Sequence, residues 1–303
     1  MKTVIDKPLF PSYANDARVK PLFSVLIANY NNGCYLQEAI DSVLMQNYNN
    51  WEVVIVDDAS PDNSAEIYNR YRKDGRFQVY YNDANKGVGF TKRRCVELAS
   101  GEICGFLDPD DVLVGTDVFD VMVEAHFEHP NASMIYSGMY RADEHLNIIR
   151  EEPGRDIPVG SSGLQMKSWP FHHFLTFKME KYRQTGGMNP IMQNAEDYDL
   201  FYKLEEVGEA IHLDCIQYIQ RNNPHSISLN DNSYKAAAWQ IYACVEAMKR
   251  RGLTDESLML FPMEAANRDA FHKGYEKATR SRIYRAGLVI ATPFLWLQKL
   301  LKR

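Results

Sequence analysis

From residue 22 onward the chain alternates short apolar runs with stretches whose apolar residues recur at helical spacing, and few folds accept that order. Residues 22–28 read as a strand. Leu36, Ala39, Ile40, Val43 and Leu44 then form one helical stripe over 36–46. The rhythm continues with a strand at 51–56, a helix at 64–71, a strand at 77–81, a helix at 91–99 and a strand at 102–107. Alternation of this kind predicts an α/β domain with a mostly parallel sheet flanked by helices. The near-continuous apolar stretches 24–28 and 53–56 suit strands covered on both faces. Asn63 and Glu66 have capping-box spacing, which places a turn directly after Asp57 and Asp58.

Ligands of such sheets bind beyond the carboxyl ends of the strands. Asn29, Asn31, Asp57, Asp58, Asp108, Asp110 and Asp111 therefore belong on one rim. Past that point the sequence predicts a helix at 117–127, a strand at 134–140, a mobile polar loop over 151–170, a helix at 196–206 and a strand at 211–219. The expected organisation is an extension at 1–21, a catalytic domain at 22–230 and a helical C-terminal region at 231–303.

The C-terminal region holds an apolar segment, 286–297, between Arg280, Arg282 and Arg285 on one side and Lys299, Lys302 and Arg303 on the other. It is shorter than the roughly 20 residues of a membrane span. Two placements suit it: peripheral in a membrane interface through 280–303, held by Trp296 and anionic lipid, or docked on the catalytic domain or on a second subunit of a homodimer.

The formal net charge of −6 argues against a nucleic-acid partner, since phosphate binding needs a basic surface. The five scattered cysteines read as reduced core residues, and residues 1–20 lack the apolar core of a secretory signal. A cytoplasmic location, with contact at the inner face of the membrane, is the expectation. The glycosylation sequon at Asn131 then carries no meaning.

Three acids within four residues, Asp108, Asp110 and Asp111, follow an apolar run. Like charges so close repel, and oxygen-only ligands favour a hard divalent cation, Mn²⁺ or Mg²⁺. An acidic turn with Asp111 as a helix cap explains the same residues, as a turn explains Asp57 and Asp58. In the run Glu196, Asp197, Tyr198, Asp199, Leu200, helical spacing turns Asp197 inward with Leu200, Phe201 and Leu204. Asp199 is turned outward, where it can pair with Lys203. A helix N-terminus favours the ionised carboxylate, so Asp197 could act as a general base or merely complement the helix dipole.

Together SVLIANYN at 24–31, VDDAS at 56–60, Asn85 and Gly87, GEICGFLDPDD at 101–111, Gly186 and Gly187, and EDYDL at 196–200 resemble the ordered motif set of family 2 glycosyltransferases, over roughly 22–228. The resemblance implies a GT-A nucleotide-diphospho-sugar transferase fold and an inverting transfer from a nucleotide-sugar donor, UDP-sugar favoured, to a saccharide or lipid-linked acceptor. Surface polysaccharide or glycolipid synthesis is the setting it implies. It assigns donor contacts to Ala28, Asn29, Tyr30, Asp57, Asn85, Gly87, Lys92 and Asp108. Asp110 becomes the metal ligand, with Asp108 and His225 as further metal candidates, and Asp197 the catalytic base. Two motifs depart from the family: Thr91, Lys92, Arg93 replaces an Ala, Arg, Asn triplet, and Arg221, Asn222, Asn223 replaces Arg, x, His.

The run from Leu107 to Val112 also resembles the nucleophile motif of haloacid-dehalogenase-like phosphohydrolases, but here three predicted strands precede it. A dinucleotide-dependent oxidoreductase lacks its GxGxxG after the first strand. A non-catalytic nucleotide-sugar-binding module would not need Asp110 and Asp197 together.

Overall fold

The computed structural model describes residues 19–166, 170–224, 226 and 233–254. His225, the segment 280–303 and nearly all of the 1–21 extension lie outside the described residues.

The elements run β1 (Phe23–Asn29), α1 (Gly33–Leu44), β2 (Trp51–Asp57), α2 (Ser64–Tyr71), β3 (Phe77–Tyr81), α3 (Val88–Leu98), β4 (Ile103–Phe106), β5 (Val112–Leu113), α4 (Val118–Glu128), β6 (Ala132–Ala142), β7 (Ile148–Glu152), β8 (Thr176–Lys178), α5 (Met179–Tyr182), α6 (Glu196–Glu205), β9 (Glu209–Arg221) and α7 (Ser233–Arg250). Among the described residues nine strands form one sheet in the order β3-β2-β1-β4-β8-β6-β9-β5, with β7 paired to β6. The first four strands are parallel. Because β2 and β3 lie on one side of β1 and β4 on the other, the chain reverses its winding between β1 and β4. That crevice is where open α/β sheets place a ligand. Strand β8 then joins β4 and β6 antiparallel, and β6 and β9 run parallel.

Every residue of β2 is buried, as a strand covered on both faces requires. Phe23, Val25, Ile27, Val53 and Ile55 pack with Leu36, Ile40, Ile67, Phe119 and Met122 on one face. Leu26, Val54, Val56 and Phe106 pack with Cys95, Val96, Leu200, Phe201 and Leu204 on the other. The period-2 alternation of β1 and β2 thus divides their side chains between two helical layers. A smaller cluster of Met192, Tyr202, Ala243, Cys244 and Ala247 seats α7 on α6.

Four local expectations need correction. The stretch 151–170 is not one loop, since β7 occupies its start and a 3₁₀ turn spans Gly163–Gln165. Asn63 makes no side-chain cap to α2. Asp62 takes over, accepting from the backbone N–H and hydroxyl of Ser64 and from Gly33 N–H. Of the five cysteines Cys95, Cys104 and Cys244 are buried, but Cys34 is exposed and Cys215 half-buried. Asp199 does not face solvent: it is 1% exposed, with Lys203 at 2.5 Å and Arg250 of α7 at 3.3 Å. Its spacing to Lys203 is as expected, but α7 covers that face of α6. Among the described residues no helix is long and apolar enough to cross a membrane.

Candidate active site

The carboxyl ends of β1, β2 and β4 and the start of α6 converge. Among the described residues, three of the four non-glycine residues with positive φ lie in the bends there: Asn31 after β1, Ala59 after β2 and Ala195 at the N-cap of α6. Left-handed alanines cost about 1 kcal/mol or more each, and such strain collects where a site must be held in a set shape.

Asp57 is 3% exposed and its carboxylate is fully engaged, accepting from Tyr68 Oη at 2.7 Å, Asn29 Nδ2 at 3.2 Å and Ser60 N at 2.7 Å. Asn29, 1% exposed, is an internal brace for the same cluster and also donates to Ser64 and Tyr68. Asp58 accepts from Asn82 Nδ2, Lys86 N and Gly87 N, which pins the loop between β3 and α3 to the end of β2. That loop presents Asn85 at the surface, with Gly87 at φ +91°, where a Cβ would come within 2.8 Å of the Gln193 amide. Tyr30, at 45% exposure, is the open aromatic face beside these groups, and Ala28 is half-buried below it.

The three acids of the β4 turn have separate roles. Asp111 is 2% exposed and turned into the sheet, accepting from Tyr218 Oη at 2.9 Å and Arg221 N at 2.7 Å. It is a structural acid and not part of the pocket wall, which corrects the reading of all three as one cluster. Asp110 Oδ2 accepts from Asn223 Nδ2 at 2.8 Å, and Arg221 Nε donates to the Asp110 carbonyl at 2.7 Å. Asp108 Oδ1 lies 3.1 Å from Lys92 Nζ. Burial and the neighbouring Asp108 charge push the Asp110 carboxyl above its ordinary range. Burial, the largest influence, acts to raise Asp108, but Lys92 and His173 together outweigh it and the net direction is down.

Lys92 is 5% exposed and lies 2.8 Å from Glu196 Oε1 as well. It braces the end of β4 to the first residue of α6. Burial opposes its charge, but the surrounding acids outweigh that and hold it protonated. Beside it Asp197 keeps 24% of its side chain exposed, with His173 Nε2 3.9 Å from Oδ2. Burial first, then the Glu196 charge, raises the Asp197 carboxyl to about 7. Lys92, Phe106, His173 and Asp197 line one small pocket.

Among the described residues no three His, Cys, Asp or Glu side chains form a metal cage. The donor set at the rim is two carboxylates, Asp108 and Asp110. That suits Mg²⁺ or Mn²⁺, ions usually held by one or two carboxylates with the remaining positions left to water and substrate phosphate. The raised Asp110 carboxyl is the feature a cation would relieve. Sequence reasoning missed Glu196, His173, Tyr218 and the hold of Asn223 on Asp110. The departure from Arg, x, His at 221–223 was the one available signal for that last contact.

A sheet that reverses at β1 and β4, with two acids at the crevice and a third at the start of α6, fits the GT-A fold. Comparison with solved structures agrees on the fold. S. aureus TarS 1–349 in complex with UDP-GlcNAc superposes with TM-score 0.60 at 20% identity, over 82% of this chain and 72% of that one. The mannosyltransferase PcManGT from Pyrobaculum calidifontis, in complex with GDP-Man and Mn²⁺, superposes with TM-score 0.56 at 16% identity, over 90% and 85%. The model of glycosyl transferase family 2 matches residues 24–189, and the chain belongs to that family. A hyaluronan synthase of Pasteurella multocida is 30% identical over 215 residues, 71% of this chain and 22% of that protein. The chain thus spans between a fifth and three tenths of the length of the first curated relatives it matches. The family match ends before Asp197.

Proposed function

We propose that the chain transfers a sugar from a nucleoside-diphosphate donor to a hydroxyl of a saccharide or lipid-linked acceptor, with inversion at the anomeric carbon. The observation that carries this is Lys92, paired with both Asp108 and Glu196 and lining one pocket with Asp197, while Asn223 holds the Asp110 carboxylate. Donor binding falls to the rim of Tyr30, Asn85 and Asp108. A divalent ion on Asp110, with Asp108 as second carboxylate, would neutralise charge growing on the departing diphosphate. Mn²⁺ or Mg²⁺ fits two carboxylates.

On the opposite side Asp197 accepts the proton of the acceptor hydroxyl as its oxygen bonds to the anomeric carbon and the bond to the diphosphate breaks. Its raised affinity for a proton suits a base working near neutral pH. Lys92 holds Asp108 ionised and fixes Glu196, and through it the α6 start, at a set distance from the donor side.

The similarity to a hyaluronan synthase and to TarS bound to UDP-GlcNAc favours a UDP-sugar and a polysaccharide product. A cytoplasmic site of action, peripheral to a membrane through 280–303, is the reading of the sequence alone. The test is a panel of UDP-, GDP- and dTDP-sugars assayed for donor consumption with Mn²⁺. The expected result is consumption of at least one UDP-sugar, lost in Asp197→Asn. No consumption of any donor, with or without saccharide acceptors, would refute the reading.

A further inference from the structure

Beyond the pocket at Asp197, an open groove of about 320 Å³ is lined by Arg141, Ala142, Ile149, Arg150 and Asn222. That volume is within the range of small-molecule sites, roughly 300–1,000 Å³. Arg141 and Arg150 are direct cross-strand partners in the β6–β7 ladder, beside a register shift at Arg141 and Ala142. Like charges placed opposite one another in a sheet are destabilising unless an anion joins them. Glu152 joins them in part, 3.1 Å from Arg141 Nε and 2.5 Å from Arg150 Nη2, which leaves the trio with one net positive charge.

The groove also adjoins the chemistry. Asn222 precedes Asn223, the partner of Asp110, and its N–H bonds Ala142 O at 2.8 Å. Arg141 is near enough for its charge to be felt at His172, His173 and Tyr198, the last two of which flank Asp197.

We propose that this groove is an acceptor subsite for an anionic sugar unit, whose carboxylate or phosphate is bound by Arg141 and Arg150 with Asn222 beside them. The proposal rests on the transferase reading and specifies the acceptor class. Arginine presents paired donors that match carboxylate and phosphate geometry.

The test is a ligand-observed NMR titration of the full chain with UDP and Mg²⁺ present. The probes are methyl β-glucuronide, a methyl glucoside 6-phosphate, neutral methyl β-glucoside and inorganic phosphate. One charged glycoside is expected to bind at least tenfold tighter than the neutral one, with Arg150→Gln cutting that preference below threefold. Glu152→Gln, which frees the arginines, should strengthen binding, an effect that mere loss of packing would not give. Lys249→Gln, at an exposed position of α7 outside the groove lining, serves as the charge control and should keep the preference.

Equal binding of charged and neutral glycosides, or no binding of either charged one, overturns the subsite. So does inorganic phosphate binding as tightly as the glycosides, which would mark a free-anion site. A parallel UDP titration separates the claims: loss of UDP binding by the unmodified chain counts against the transferase reading, whereas intact UDP binding with no charge preference counts against the subsite alone.

Discussion

Asn223 donates from Nδ2 to Asp110 Oδ2 at 2.8 Å, so that a residue at the end of β9 aims the carboxylate at the end of the β4 turn. Arg221 stiffens the same contact from below, donating Nε to the Asp110 carbonyl while its guanidinium lies over the Tyr35 ring and pairs with Glu38. Replacing Asn223 by Ala removes a hydrogen bond to a charged group, worth about 1.5–3 kcal/mol. Metal-dependent UDP affinity should fall on the order of tenfold to a hundredfold, measured by calorimetry, and Tm should drop by several degrees because the bond is present without ligand. Unchanged affinity would show that Asp110 needs no aiming.

Asp110 and Asp111 are adjacent but should fail in opposite ways. Asp111→Ala strands the Arg221 N–H and the Tyr218 hydroxyl in the interior, at about 1–3 kcal/mol each. Its signature is a lower Tm. Asp110→Ala gives up the Asn223 hydrogen bond but relieves the burial of the carboxylate and its repulsion with Asp108, so Tm should change little while metal-dependent nucleotide binding disappears. Thermal scans of both variants in the absence of nucleotide check this.

Lys92→Met leaves the buried Glu196 and the half-buried Asp108 without their cation. Breaking a buried ion pair by removing one partner costs about 3–5 kcal/mol. Denaturant unfolding should show that loss, and raising the pH should worsen it as the carboxylates ionise. A stability within 1 kcal/mol of the parent would mean that Lys92 does not brace the two halves of the site.

Asp197 sets the pH dependence. With its carboxyl raised to about 7, the base is protonated in acid, so the transfer rate should climb with pH below about 7 and level off above it. The stability effect has the opposite sign. The folded chain binds a proton that the unfolded chain has released, so stability falls as pH rises from about 4 to 7. Asp197→Asn should therefore abolish transfer and, at pH 8, unfold later than the parent, by an amount of order 1–3 kcal/mol.

The first half of the fold is legible in the sequence because β1 and β2 are buried on both faces and read as near-continuous runs of β-branched and apolar residues. The ends of α2 and β3 fall where spacing puts them. Strands β5 and β8, two and three residues long, are too short to show a period, and β7 is almost wholly exposed. The acids at the strand ends are legible because a strand's carboxyl end is a local feature. Their division of labour is not, since Asp110 and Asp111 are sorted by Asn223, Arg221 and Tyr218, more than 100 positions away. Asp199 was misjudged for the same reason: helical spacing describes α6 alone, and the face it assigns to solvent is the one α7 covers.

The central claim is that Asp110 receives a metal-bound diphosphate, and calorimetric titration of the chain with UDP, with and without Mn²⁺, tests it most directly. Saturable UDP binding that requires the ion and vanishes in Asp110→Ala is the predicted result. UDP binding that is absent, or equally strong without the ion and in Asp110→Ala, would contradict the account.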